Sequence, residues 1–177
     1  AALPPAFLAE MTRSYAGTRL GAQELDGALM LDLEGALWTH ALLDGCRLSG
    51  PPPAHEQLKR VVIGVDLPAG EQGDACGIVV AGLDDEGRAI VLDDATVTRA
   101  SPERWARAVA RAAWHWRADR IVAEVNNGGA MVGAVLRAAD IALPLRLVHA
   151  SRGKSARAEP IAAAYEAGKV RHHARFA

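Results

Sequence analysis

The sequence predicts a mixed α/β fold in which an antiparallel three-strand meander continues into parallel strands joined by crossover helices. Three observations carry this. Three apolar runs of strand length follow one another with only short connections. The apolar spacing then switches to a helical period. From there helix and strand alternate, the order that produces parallel strands joined through crossovers.

The elements follow in chain order. "RVVIGVD" (60–66), "ACGIVVAGLD" (75–84) and "RAIVLDDATV" (88–97) are the three successive runs. Asp85-Glu86-Gly87 between the second and third suits a tight hairpin. Ser101-Pro102-Glu103 is a helix start, with Ser as N-cap and Pro at the first helical position. Trp105, Val109, Ala112 and Trp116 follow at the spacing of one buried stripe. "RIVAEV" (120–125) predicts a fourth strand, 129–140 a second helix and "LRLVHA" (145–150) a fifth strand. Residues 156–168 predict a third helix closed by Gly168, and "KVRHH" (169–173) one more short extended segment. The order βββαβα is characteristic of ribonuclease-H-like domains, although periodicity alone leaves other mixed α/β folds open.

Upstream, "SGPPPAHEQ" (49–57) reads as a linker, because successive prolines continue neither a helix nor a central strand. Residues 5–44 read as mostly helical, with Leu25, Leu29 and Leu33 four apart and Trp38 further on. The expected division is therefore a helical arm over 1–58 and the α/β domain over 59–177. A chain of 177 residues accommodates one such core with a small appendage. It opens on Ala1 and is read as a piece of a longer protein, its C-terminal end truncated. No apolar run approaches the roughly 20 residues a membrane span needs, and no signal-peptide pattern opens the chain. Cys46 and Cys76 stand alone without metal-type spacing, which suggests a reducing, cytoplasmic setting.

The net charge of −1 decides nothing, but its distribution does. Residues 146–177 hold seven Lys/Arg against two Asp/Glu, whereas residues 1–58 hold three against seven. A cationic end of this kind suits a phosphate backbone, a solvated face without a partner being the plainer reading. Gly153-Lys154-Ser155 imitates the tail of a Walker A loop, but that pattern needs a glycine where Val148 stands, so no ATP site is expected. Arg152, Lys154 and Arg157, with Lys169 and Arg171, are instead candidates to face DNA.

Two acids interrupt apolar strands. Asp66 ends the first strand and Glu124 sits near the end of the fourth. On neighbouring strands the carboxylates would converge, and two close carboxylates share a proton or hold a cation. Oxygen-only ligands favour Mg²⁺ or Mn²⁺ over zinc. A carboxylate cluster holding two such ions is machinery for phosphodiester hydrolysis. The plainer alternative has Asp66 capping a turn before Pro68 and Glu124 pairing with a neighbouring arginine. Asp74 is an auxiliary ligand, a water-orienting group or a turn residue. Asn126-Asn127-Gly128-Gly129 reads equally as a turn or as a helix N-terminus offering N–H groups to an anion.

Taken together, "VVIGVDLPAG…GDACGIVVAG", "RIVAEVNNGGAMV" and "HASRGKSARAEPIAAAYEAGKVRHH" resemble the C-terminal nuclease domain of phage large terminase subunits, of the kind found in gene transfer agents and related prophages. "YAGTRLGAQELDGALMLDLEGALW" (15–38) is similar to the segment joining the ATPase motor to that nuclease. The resemblance implies a ribonuclease-H-like fold and a divalent-metal-dependent endonuclease that cuts concatemeric DNA during capsid packaging. It implies Asp66 and Glu124 as metal ligands, and Lys154 and Arg157 along the DNA path. It further implies portal and small-subunit contacts through the full-length protein. The family's third acidic ligand would lie beyond Ala177, and activity of the chain as given would then be impaired. A junction resolvase or repair nuclease of the same fold, and a non-catalytic DNA or portal docking module, are the competing expectations.

Overall fold

The computed structural model describes residues 35–67, 75–126 and 129–173. The chain divides into two compact units, Ala1–Ala41 and Leu42–Ala177. Most of the expected helical arm, with Leu25, Leu29 and Leu33, lies outside the described residues, and Trp38 falls in a bend. A short helix α1 (His40–Gly45) and a 3-10 turn (His55–Gln57) flank the prolines.

The sheet is built from β1 (Leu58–Asp66), β2 (Ala75–Asp84), β3 (Ala89–Asp94), β4 (Val97–Thr98), β5 (Arg120–Glu124), β6 (Leu145–Val148) and β7 (Val170–His172). Its order is β6-β5-β1-β2-β3-β7, with β4 paired to β2. β1, β2 and β3 form the antiparallel meander; β5 and β6 add parallel on the side of β1, and β7 adds parallel to β3. This is the expected ribonuclease-H-like mixed sheet. The hairpin turns where Gly87 takes a φ of 78°. The Asp84 carboxylate fixes that turn by accepting from the Glu86 and Arg88 amides and from the Arg88 guanidinium.

The compact unit starts at Leu42, earlier than the boundary that the proline run suggested. The Leu48 amide donates to the His172 carbonyl (2.9 Å) and the His172 amide to the Cys46 carbonyl (3.1 Å). Buried Cys46 and the Arg47–His172 bridge tie this segment to β7.

One face of the sheet is closed by α2 (Pro102–His115) and α3 (Ala130–Ala139). Ser101 caps α2, its Oγ accepting from the Arg104 amide (3.3 Å). Trp105, Val109 and Ala112 are buried as the stripe predicts. Trp116 is half-buried and donates from Nε1 to Asp93 (3.0 Å), at a register shift that re-aims β3. Beneath the helices Ile63, Ile78 and Ile121 are fully buried, each contributing about 1.5–3 kcal/mol of transfer free energy. At Gly133 in α3 an added Cβ would lie 2.9 Å from Leu147 Cδ1, so a larger residue there requires the Leu147 side chain to move.

The last helix, α4 (Lys154–Glu166), begins two residues before the expected start at 156, with Gly153 as N-cap. It buries only Ala162, which accounts for its lack of a clear apolar stripe. Among the described residues no helix is long and apolar enough to cross a membrane.

Candidate metal and nucleic-acid site

Strand alternation decides where the two acids point. Along β1 the buried residues are Val61, Ile63 and Val65, and along β5 they are Ile121 and Ala123. Asp66 and Glu124 occupy the other parity, so both side chains leave the core for the face opposite α2 and α3. The parallel β1–β5 register runs from Val62↔Arg120 to Val65↔Ala123. Carried one residue further, that register would set Asp66 beside Glu124, each the last residue of its strand. Adjacent strands lie about 4.8 Å apart, so the two carboxylates stand at one level on neighbouring strands. Across the other edge of β1, Asp66 faces Gly77.

Glu124 has a partner. Arg157 donates from Nη1 to its Oε2 at 2.8 Å, with the glutamate side chain 21% and the arginine 39% exposed. Arg157 comes from the first turn of α4, its amide bonded to the Gly153 carbonyl. That start is held to β5 by Asn126. The Asn126 side chain donates to the Ala150 carbonyl (2.8 Å) and accepts from the Ala150 amide (3.0 Å). It acts as one more rung on the ladder after Glu124↔Val148 and the Val125 amide to the Val148 carbonyl (3.0 Å). At the other end of β5, Asp119 does the same toward β1, accepting from the Val61 amide at 2.7 Å. Neither ladder extension is legible from spacing, since an Asx residue beside a strand is ordinarily turn chemistry.

The five candidate cations divide into two groups. Arg152 and Lys154 are exposed and, with Arg157, follow the C-terminal end of β6, the sheet end that carries both carboxylates. Lys169 precedes β7 and lies at the opposite end, since Ala89 pairs with Val170 and Leu83, and Leu83 with Arg60. Arg171 is half-buried, its guanidinium turned onto the Val170 carbonyl (3.2 Å) and Cys46 Sγ (3.9 Å). The basic C-terminal stretch is thus not one patch: Arg157 pairs with Glu124, Arg152 and Lys154 follow the strand end that carries the acids, and two cations stand three strands away. Asp74, Asn127 and Gly128 lie outside the described residues, while Gly129, at a φ of 53°, forms the N-cap of α3.

Among the described residues no three His, Cys, Asp or Glu side chains gather in a metal-binding group. Asp66 and Glu124 provide a pair of hard oxygen donors at the C-terminal ends of two interior strands. Such a pair fits an ion of the Mg²⁺ or Mn²⁺ type, which keeps much of its own coordination as water or phosphate oxygen. Cys76 belongs to the buried face. Burial, with a smaller contribution from the charge of Asp66, pushes its thiol up to about 11, so it adds no thiolate to the donor set.

Comparison with solved structures finds the same fold elsewhere. The large terminase of a thermophilic bacteriophage, solved in complex with ADP, has a TM-score of 0.59 at 12% identity over 97% of this chain and 41% of its own. The large terminase nuclease of thermophilic phage G20c with bound cobalt gives 0.55 at 15% identity over 80% of this chain and 76% of its own. The HK97 bacteriophage large terminase gives 0.54 at 13% identity, over 96% of this chain and 41% of its own. The chain thus spans well under half the length of the ADP-bound and HK97 proteins. No curated protein matches it. The family described as the terminase RNaseH-like domain matches residues 63–176. With that match over most of its length, on a mixed sheet of the same architecture, the chain belongs to the terminase RNaseH-like domain family.

Proposed function

We propose that this domain is a divalent-metal-dependent DNA endonuclease that cuts concatemeric or genomic DNA during capsid packaging. The observation that carries the reading is the placement of Asp66 and Glu124 at one level of two adjacent parallel strands, on a face that the core does not use. The cobalt bound by the G20c terminase nuclease supports it, as a divalent ion held by a protein of this fold.

Asp66 and Glu124 act as ligands, for one ion or for two when the site is complete. Bound there, divalent metal supplies Lewis-acid chemistry: neutralisation of phosphate charge and a nucleophile available at neutral pH. The chain's own groups do the rest. The β1–β5 ladder fixes the separation of the carboxylates. Arg152 and Lys154, exposed beside the acids, bind and orient the DNA backbone. Gly64 and Gly77 carry no side chain on the strand face beside Asp66, which lowers the surface a duplex would approach there. In the longer protein the portal and the small terminase subunit are the proposed partners, and the host cytoplasm the setting.

Asp66→Asn and Glu124→Gln are expected to abolish Mn²⁺-dependent plasmid nicking while leaving the thermal midpoint close to that of the parent. Cleavage retained by the purified double variant would overturn the assignment. Salt-dependent DNA binding with no metal-dependent hydrolysis, even by a longer chain that extends past Ala177, would point to a docking module, and a strong preference for branched DNA to a junction resolvase.

A further inference from the structure

Glu124 is expected to hold a divalent ion, yet a guanidinium already sits on it. We propose that Arg157 is the resident counter-cation of the carboxylate pair: it holds Glu124 when no divalent ion is bound, and must be exchanged for one. Arg157 thereby sets the metal affinity of the site. The inference rests on the metal-site reading of Asp66 and Glu124.

The geometry is that of an exchangeable contact rather than a structural lock. The bond is single, from Nη1 to Oε2 at 2.8 Å, not the bidentate fork that makes arginine–carboxylate pairs strong. Both side chains keep solvent access, at 39% and 21%, so water competes for each. Among the described residues Glu124 is the one acid paired with Arg157. A guanidinium does not deprotonate in proteins, so the competing charge is present at every assay pH.

The arginine is also delivered on purpose-built backbone. Its helix starts directly after the Ala150 segment that the Asn126 amide clamps to the end of β5. The acid and its cation, 33 residues apart in sequence, are thus fixed to one strand end by a connection that bypasses the core. A cation placed this way lowers the repulsion between two carboxylates at one level while no divalent ion is bound. Once displaced, the guanidinium is free to accept a phosphate as its partner. By linkage, any group that draws Arg157 off Glu124 then favours metal at the site.

The test is Mn²⁺ affinity of the chain without DNA, measured by isothermal titration calorimetry. Arg157→Gln should bind Mn²⁺ roughly two- to fivefold more tightly than the parent, the range expected for release of a half-exposed ion pair. Arg157→Met, which keeps the aliphatic stem, should tighten similarly, and Arg157→Lys should stay nearer the parent. A merely structural role predicts the reverse, since loosening α4 would weaken binding. Unchanged or weaker binding in both neutral variants overturns the exchange. Asp66→Asn separates the two levels of the argument: it should lose Mn²⁺ binding. If it binds as the parent does, the metal-site reading falls and the exchange with it. If it loses binding while Arg157→Gln matches the parent, the exchange alone falls.

Discussion

The two faces of the sheet are written by the same strands and obey different rules. On the closed face Val61, Ile63, Val65, Ile78, Val80, Ile121 and Ala123 are all buried under α2 and α3. On the open face the residues between them are Val62, Gly64 and Asp66, Gly77, Val79 and Ala81, Val122 and Glu124. These are exposed or half-buried, Val79 at 42%. Burial of apolar area explains the first set completely. It explains neither the acids nor Gly64 in the second, and residues that the fold does not need are where chemistry is to be sought.

The largest expected effect tests that division directly on β5. Ile121→Ala removes a fully buried side chain and is expected to destabilise the domain by about 2–5 kcal/mol, measured by urea unfolding. Glu124→Gln, three residues along on the other parity, should move the midpoint little, because the bond to Arg157 that it weakens is a partly exposed one. Equal destabilisation by the two would break the comparison, showing Glu124 to be a structural member of the sheet.

A smaller effect belongs to the β2–β3 turn, away from both acids. Asp84 is a buried carboxylate. Burial pushes it up, but the Arg88 amide, the Arg88 side chain with its charge, and the Glu86 amide outweigh that and hold it below its ordinary value of 3.8. A depressed folded value means that its stabilisation is fully present above the unfolded value and is lost as pH falls through the folded one. The parent should therefore exceed Asp84→Asn in urea midpoint by a constant margin at neutral pH. The margin should shrink only below about pH 5, where the unfolded carboxyl begins to protonate. A margin that shrinks between pH 7 and 5 would assign the effect to another group.

How much of this was legible in the sequence follows from the range of the interactions concerned. Periods of 2 and 3.6 are local, so the strand and helix order, the Gly87 hairpin and the Ser101 cap were readable. So were Asp66 and Glu124, as acids in apolar runs. Which strands are neighbours is a property of the whole sheet. That β1 lies between β2 and β5, with Asp66 level with Glu124, needed the structure. The pairs Asn126–Ala150 and Arg157–Glu124 join residues 24 and 33 apart, and no spacing rule announces them. Lys169 and Arg171 were grouped with Lys154 because they are near in sequence; a helix and an edge strand carry them elsewhere. Gly153 caps α4 without a side chain, so no residue type marks the start, and spacing alone sets it two residues late. The segment 42–58 was set apart by its prolines, although the backbone bonds of Cys46 and Leu48 to His172 make it part of the compact unit.

The smallest expected effect on stability is the sharpest test of the open face. Glycine inside a strand is unfavourable by roughly 0.5–1 kcal/mol relative to alanine, so a strand glycine requires a reason. At Gly82 the reason is internal: an added Cβ would lie 2.9 Å from both methyl groups of Leu58. At Gly64 there is no internal reason among the described residues, where an added Cβ would meet nothing within 4 Å. Gly64 is exposed two residues before Asp66 on the same face, level with Val79 and Val122. The proposed approach of DNA to Asp66 would use the space that the missing side chain leaves. Gly64→Val should leave the urea midpoint unchanged or raise it slightly, since valine favours strands. Plasmid nicking should fall while Mn²⁺ affinity, measured without DNA, stays at the parent value. Nicking that stays at the parent rate would show that the surface beside Asp66 is not the approach, and would move the path of the duplex to the Arg152 and Lys154 side of Glu124.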